Sequence, residues 1–133
     1  MNDLAKLAER YASAWCSQKP DNVSAFYAEN GSLSVNGGAP AIGREAIAEV
    51  AQGFMRDFPD MVVTMDGVSR DAEGTKFQWT LIGTNTGPGG TGNRVRISGY
   101  ELWQIGNDGL ITKSEGHFDS AEYERQLKYG VDE

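Results

Sequence analysis

Glu115, His117 and Asp119 alternate along the stretch Lys113-Ser114-Glu115-Gly116-His117-Phe118-Asp119, and His117 is the only histidine of the chain. If this stretch is a strand, its period of two puts both carboxylates and the imidazole on one face. Such a trio can take a proton from a substrate and pass it on, so Asp119, His117 and Glu115 are the candidate catalytic residues. The same alternation over residues 95–105 puts Val95, Ile97, Gly99, Glu101, Trp103 and Ile105 together, which sets a further carboxylate among apolar neighbours. For a carboxylate base such as Asp119, burial beside apolar groups raises the pKa toward neutrality, as base catalysis at neutral pH requires.

Each of these residues also has a reading without chemistry. Asp119 stands three residues before Glu122 at the start of a helical stretch, the spacing of an N-terminal capping box. Lys113 shares the parity of Glu115 and can pair with it, and a lone histidine is often a hydrogen-bonded structural residue. Ser114 and Ser120 flank His117 but neighbours in a strand point to opposite faces, and no G-x-S-x-G elbow occurs, so a nucleophilic triad is not expected. Gly87-Pro88-Gly89-Gly90-Thr91-Gly92 spells G-x-G-x-x-G, yet strand patterns lie on both sides where a dinucleotide site needs a helix. It reads as a loop.

The elements that must position these residues follow from periodicity. Leu4, Leu7, Ala8, Tyr11 and Trp15 recur at helical spacing, with Asp3 near the start and Pro20 beyond the end. Asp21 or Asn22 is expected to cap a short second helix carrying Val23, Phe26 and Tyr27 and stopped by Asn30-Gly31. Leu33 and Val35 suggest a short strand. Ile47, Val50, Ala51, Phe54 and Phe58 mark a third helix that Pro59 ends. From Met61 the period becomes two, which predicts strands at 61–70, 75–86, 94–105 and 110–118. Short turns, among them Asn107-Asp108-Gly109, join them into an antiparallel meander, and a last helix over 121–128 is capped by Asp119 or Ser120. Helices followed by strands predict a single α+β domain over residues 1–133, three N-terminal helices packed on a curved antiparallel sheet.

Phe77, Trp79, Leu81, Gly83 and Asn85 form the better inner face of their strand. Tyr11, Trp15, Tyr27, Phe54, Phe58, Trp79 and Trp103 are bulkier than a thin helix-on-sheet core needs. With Asn85 and Glu101 they are the candidate substrate-binding residues of a pocket for a small hydrophobic molecule. The outer face carries Ile82, Tyr100 and Leu102, which suggests a homodimer through that face.

A formal charge of -7 repels phosphate backbones and anionic lipid, so neither nucleic acid nor membrane is an expected partner. No apolar run reaches the roughly 20 residues of a membrane span. One His and one Cys fall short of a zinc set, and no metal or cofactor is expected. Cys16 cannot pair within the chain and reads as core. No secretory pattern opens the sequence, so a reducing cytoplasm is the expected compartment.

The aromatic first helix, Phe26-Tyr27-Ala28, the run Trp79-Thr80-Leu81-Ile82-Gly83-Thr84-Asn85-Thr86-Gly87, Gly92-Asn93-Arg94 and Asp108-Gly109-Leu110-Ile111 together resemble the SnoaL-like polyketide cyclases. W-x-x-x-G-T-x-T-G is the most specific part. The resemblance implies the cone-shaped α+β fold of the nuclear transport factor 2-like, or cystatin-like, group, with an internal pocket and no cofactor. It also implies an acidic base at the end of the last strand, where Asp119 stands, for an intramolecular aldol ring closure. The family commonly has His where this chain has Asn85, and Trp where it has Glu115.

The expected function is therefore acid/base chemistry alpha to a carbonyl, aldol cyclisation or isomerisation, on a hydrophobic small molecule. In that scheme Asp119 is the base, His117 relays the proton, Asn85 holds the enolate oxygen, and Glu115 or Glu101 tunes His117. A non-catalytic binding or association domain is the alternative, and a hydrolase or dehydratase a further one.

Overall fold

Ala8, Tyr11, Ala12 and Trp15 form the buried face of helix α1 (Asn2–Cys16) in a computed structural model that describes residues 2–131. A short α2 (Pro20–Ser24) and strands β1 (Tyr27–Val35) and β2 (Ala41–Ile42) lead into helix α3 (Arg44–Asp57). The remainder is β3 (Val62–Asp71), β4 (Gly74–Thr84), β5 (Arg94–Ile105), β6 (Ile111–Phe118) and helix α4 (Ser120–Tyr129). All strands join one sheet in the order β2-β1-β6-β5-β4-β3. The four-strand meander and the α+β class follow the sequence pattern closely. The stretch around residues 25–35 does not.

There the second helix ends at Ser24, and Tyr27 opens β1 instead of continuing a helix to Asn30. Pro20 occupies the first turn of α2, where its missing N–H costs nothing, and Lys19 rather than Asp21 or Asn22 stands at the cap without a side-chain bond. Asn30-Gly31 is not a helix stop but the irregular part of β1, whose register against β6 shifts between Tyr27 and Ser32. A Cβ on Gly31 would come within 2.9 Å of the Ile111 carbonyl oxygen, so this bulge needs glycine. β1 runs parallel to β6, whereas the other pairings are antiparallel.

The inner face of the sheet carries Phe77, Leu81, Val95, Ile97 and Trp103, all buried against α1 and α3. Cys16 lies at that contact, its Sγ accepting the Val63 N–H at 3.2 Å. At the other end α4 is tied to β5 by Gln126, whose Oε1 accepts the Arg96 N–H at 2.6 Å. Asn93 Nδ2 adds a bond to the Leu127 carbonyl at 2.8 Å. These ties hold α4 across the same end of the sheet as the loop between β4 and β5. That loop contains the G-x-G-x-x-G letters and joins two strands, as expected.

Register decides which face each residue of β6 presents. Gly116 stands opposite Glu101 and Ser114 opposite Trp103, whereas His117 pairs with Tyr100 and Glu115 with Leu102. Directly opposed residues share a face, so Ser114 and Gly116 point inward and Glu115 and His117 outward. The expected interior trio is therefore turned away from the core.

Candidate functional site

Between the helices and the inner sheet face lies a half-enclosed cavity of about 60 Å³. Trp15 from α1, Phe54 from α3, Phe77 and Trp79 from β4, Phe118 from β6 and Tyr123 from α4 supply its aromatic wall. Aliphatic side chains such as Leu81 and Ile97 fill the rest, and the carboxyl-bearing side chain is Glu101. The rings brace one another edge to face: Trp15 on Phe54 at 6.1 Å, Trp79 on Phe118 at 5.9 Å and Phe118 on Tyr123 at 5.4 Å between centroids. Such contacts fix ring orientation beyond what burial alone does.

Glu101 is held from behind. Tyr11 OH donates to its Oε1 at 2.9 Å, Trp103 Nε1 at 2.8 Å and Ser114 Oγ at 2.8 Å. Because the single Tyr11 proton is used on Glu101, the 2.7 Å contact between the two phenols must be Tyr27 donating to Tyr11. Oε2 accepts no hydrogen bond from a described residue and keeps contact with open space at the cavity wall. A proton on Glu101 therefore belongs on Oε2, since Oε1 is already saturated with donors.

Burial raises the Glu101 pKa above its ordinary value of 4.5, and the bonds from Trp103, Ser114 and Tyr11 only partly oppose that. Burial and the neighbouring carboxyl also push both Tyr11 and Tyr27 well above the usual phenol range, so they remain donors. The arrangement is one carboxyl group with one committed oxygen and one free oxygen, poised to gain or lose a proton in apolar surroundings. Among the described residues no group of three or more His, Cys, Asp or Glu side chains is placed to hold a metal.

The residues singled out in the sequence separate into distinct places. Trp15, Phe54, Trp79 and Glu101 meet at the cavity. Tyr11, Tyr27 and Trp103 lie behind it as the buried support of Glu101, while Phe58 is buried against Tyr123 at 6.4 Å. Asn85 is committed elsewhere: its Oδ1 accepts the Thr91 N–H at 2.8 Å and its Nδ2 donates to the Asp57 carbonyl at 3.2 Å, which ties down the loop after β4. His117 packs on Tyr100 at 4.9 Å on the outer face, and Glu115 pairs with Lys113 at 3.5 Å near solvent. Asp119 is exposed and caps α4, accepting the Glu122 N–H at 3.1 Å. The structural readings of Asp119 and Glu115 are thus the ones observed.

Ser114, Gly116, Phe118 and Tyr123 are site residues that the sequence reading did not select. The missed signal was the other parity of β6, where Ser114 holds Glu101, the small Gly116 leaves space and Phe118 closes it.

Residues 8–114 match the SnoaL-like domain family. The chain belongs to that family. A protein assigned as a SnoaL-like polyketide cyclase, from Jannaschia sp. CCS1, has 12% identity over 98% of this chain and 92% of its own, with a TM-score of 0.78. A protein with a ketosteroid isomerase-like fold from Catenulispora acidiphila DSM 44928, in complex with trimethylamine, has 18% identity over 80% of each chain and a TM-score of 0.70. No curated protein matches by sequence. The SnoaL-like fold is therefore that expected from the sequence, and at these identities the two structures speak to fold alone. In this SnoaL-like chain the buried carboxyl at the cavity is on the middle of β5, not at the end of β6.

Proposed function

We propose that this SnoaL-like protein performs cofactor-independent acid/base chemistry alpha to a carbonyl, with Glu101 as the base. The observation that carries the reading is the one-sided clamp on Glu101: among the described residues, three donors on Oε1 and none on Oε2. In the ionised state Oε2 takes a proton from the alpha carbon, and the electron pair left behind forms an enolate. Where a C=C bond adjoins the enolate, the carboxylic acid returns the proton at the far carbon, which isomerises the substrate; alternatively the enolate carbon attacks a second carbonyl of the same molecule, whose C=O π pair becomes an alkoxide that takes the proton back from Glu101 Oε2 as the ring closes. The apolar walls exclude water and thereby strengthen every charge interaction within. A volume of about 60 Å³ favours a small molecule, or the reactive end of a larger one.

The test is exchange of the alpha protons of cyclopentanone in deuterated water, followed by NMR. The wild type accelerates exchange and Glu101→Gln does not. Equal acceleration by both removes Glu101 from the role of base.

A second reading is favoured by the ring-lined wall around a lone carboxyl and by the trimethylamine bound to the Catenulispora protein. A small alkylammonium ion is attracted by aromatic faces and by an ionised Glu101. Calorimetric binding of trimethylamine without acceleration of ketone exchange supports this reading over catalysis. Self-association through the outer sheet face, where Ile82, Tyr100 and Leu102 stand half-buried, also remains a proposal. Sedimentation as a monomer at micromolar concentration removes it.

A further inference from the structure

We propose that the indole N–H of Trp79 is a ligand-binding donor, which holds the carbonyl-type oxygen of a small neutral molecule in the cavity. This rests on the reading of the cavity as a small-molecule site. Trp79 Nε1 is the one buried side-chain nitrogen or oxygen without a hydrogen-bond partner among the described residues. By contrast Trp103 Nε1 is spent on Glu101. Buried donors are nearly always paired, because leaving one unpaired forfeits its hydration with nothing in return. Trp79 forms part of the cavity wall and its Nε1 is itself covered there, so an incoming acceptor reaches it from the cavity by parting the side chains that cover it.

The ring is also fixed in place. Gly99 lies beneath it, where a Cβ would stand 2.8 Å from Cζ2, and Phe118 meets it edge to face at 5.9 Å. A donor fixed in advance needs no reorganisation when charge develops on its partner. In the enolisation step the alpha proton passes to Glu101 Oε2, the C–H electron pair becomes the new C=C bond, and the carbonyl pair moves onto oxygen. Trp79 N–H then holds that oxygen as it turns negative. The ligand class is accordingly an apolar skeleton bearing a ketone, aldehyde or ester oxygen beside an acidic C–H.

The experiment compares cyclopentanone with methylenecyclopentane, which keeps the ring and replaces oxygen by CH2. Binding is followed through the three indole N–H resonances of ¹⁵N-labelled wild type. Trp79→Phe, which keeps an aromatic ring, identifies the Trp79 signal by its loss. Expected is a downfield move of the Trp79 N–H with the ketone only, and about tenfold tighter binding of the ketone, ~1.4 kcal/mol, that Trp79→Phe abolishes. Ketone binding with an unmoved Trp79 resonance overturns the donor and leaves the cavity reading standing, as does an undiminished preference in Trp79→Phe. Binding of neither probe to the wild type overturns the cavity reading and this inference with it.

Discussion

Glu101 is buried at the cavity wall yet supported by described residues on one oxygen only, and that asymmetry has consequences for pH that a surface carboxylate lacks. Its pKa is raised in the folded chain, so the native state keeps a proton that the unfolded chain has released. The associated stability is present below the unfolded pKa, near 4.5, and is lost as pH rises through the folded value. Glu101→Gln does not titrate, so denaturant melts at increasing pH should show the wild type losing stability relative to this variant. Ser114→Ala removes one donor to Oε1, which raises the Glu101 pKa further and costs about 1–3 kcal/mol of stability. The pH profile of ketone exchange should move upward in that variant; an unmoved profile would mean that Glu101 does not govern the rate. Strand alternation alone was enough to find Glu101 among apolar neighbours. It could not find Tyr11 and Ser114 as its partners, nor Tyr27 behind Tyr11, because those contacts join α1, β1 and β6 across long stretches of chain.

Strand β6 shows how a period can be read correctly and still leave a face unassigned. Glu115 and His117 do share a side, but only pairing with β5 determines that it is the outer one. The helical end of this stretch was more legible, since Asp119 and Glu122 carry local capping chemistry. Asp119→Asn keeps a good cap and should leave stability and exchange almost unchanged, whereas Asp119→Ala should cost about 1 kcal/mol through loss of the bond to Glu122. Loss of turnover in Asp119→Asn, with folding intact, would return the base to the end of β6. The stretch at 25–35 was misread for a different reason. Asn30-Gly31 has the composition of a helix stop, but the close approach of Gly31 to the Ile111 carbonyl is a demand of the sheet that no local pattern contains.

At the level of the whole molecule the α+β architecture was readable because each element has a clear period and most links are short. The cavity was readable only as an excess of rings, since its volume depends on where small residues fall opposite them. Gly116 is one such residue: an added Cβ would meet Ser34 O at 3.5 Å and Glu101 Cγ at 3.7 Å, ordinary contact distances. Gly116→Val should therefore fold with a melting temperature within a few degrees of wild type while filling the space that a ligand needs. Calorimetry should find cyclopentanone binding lost; retained affinity would place the ligand elsewhere. The most direct measurement of all is the NMR titration of the Glu101 carboxyl carbon in selectively labelled protein. A single inflection clearly above 4.5, reduced to none in Glu101→Gln, is the predicted result. An inflection at or below 4.5 would contradict a carboxyl poised for proton transfer in apolar surroundings.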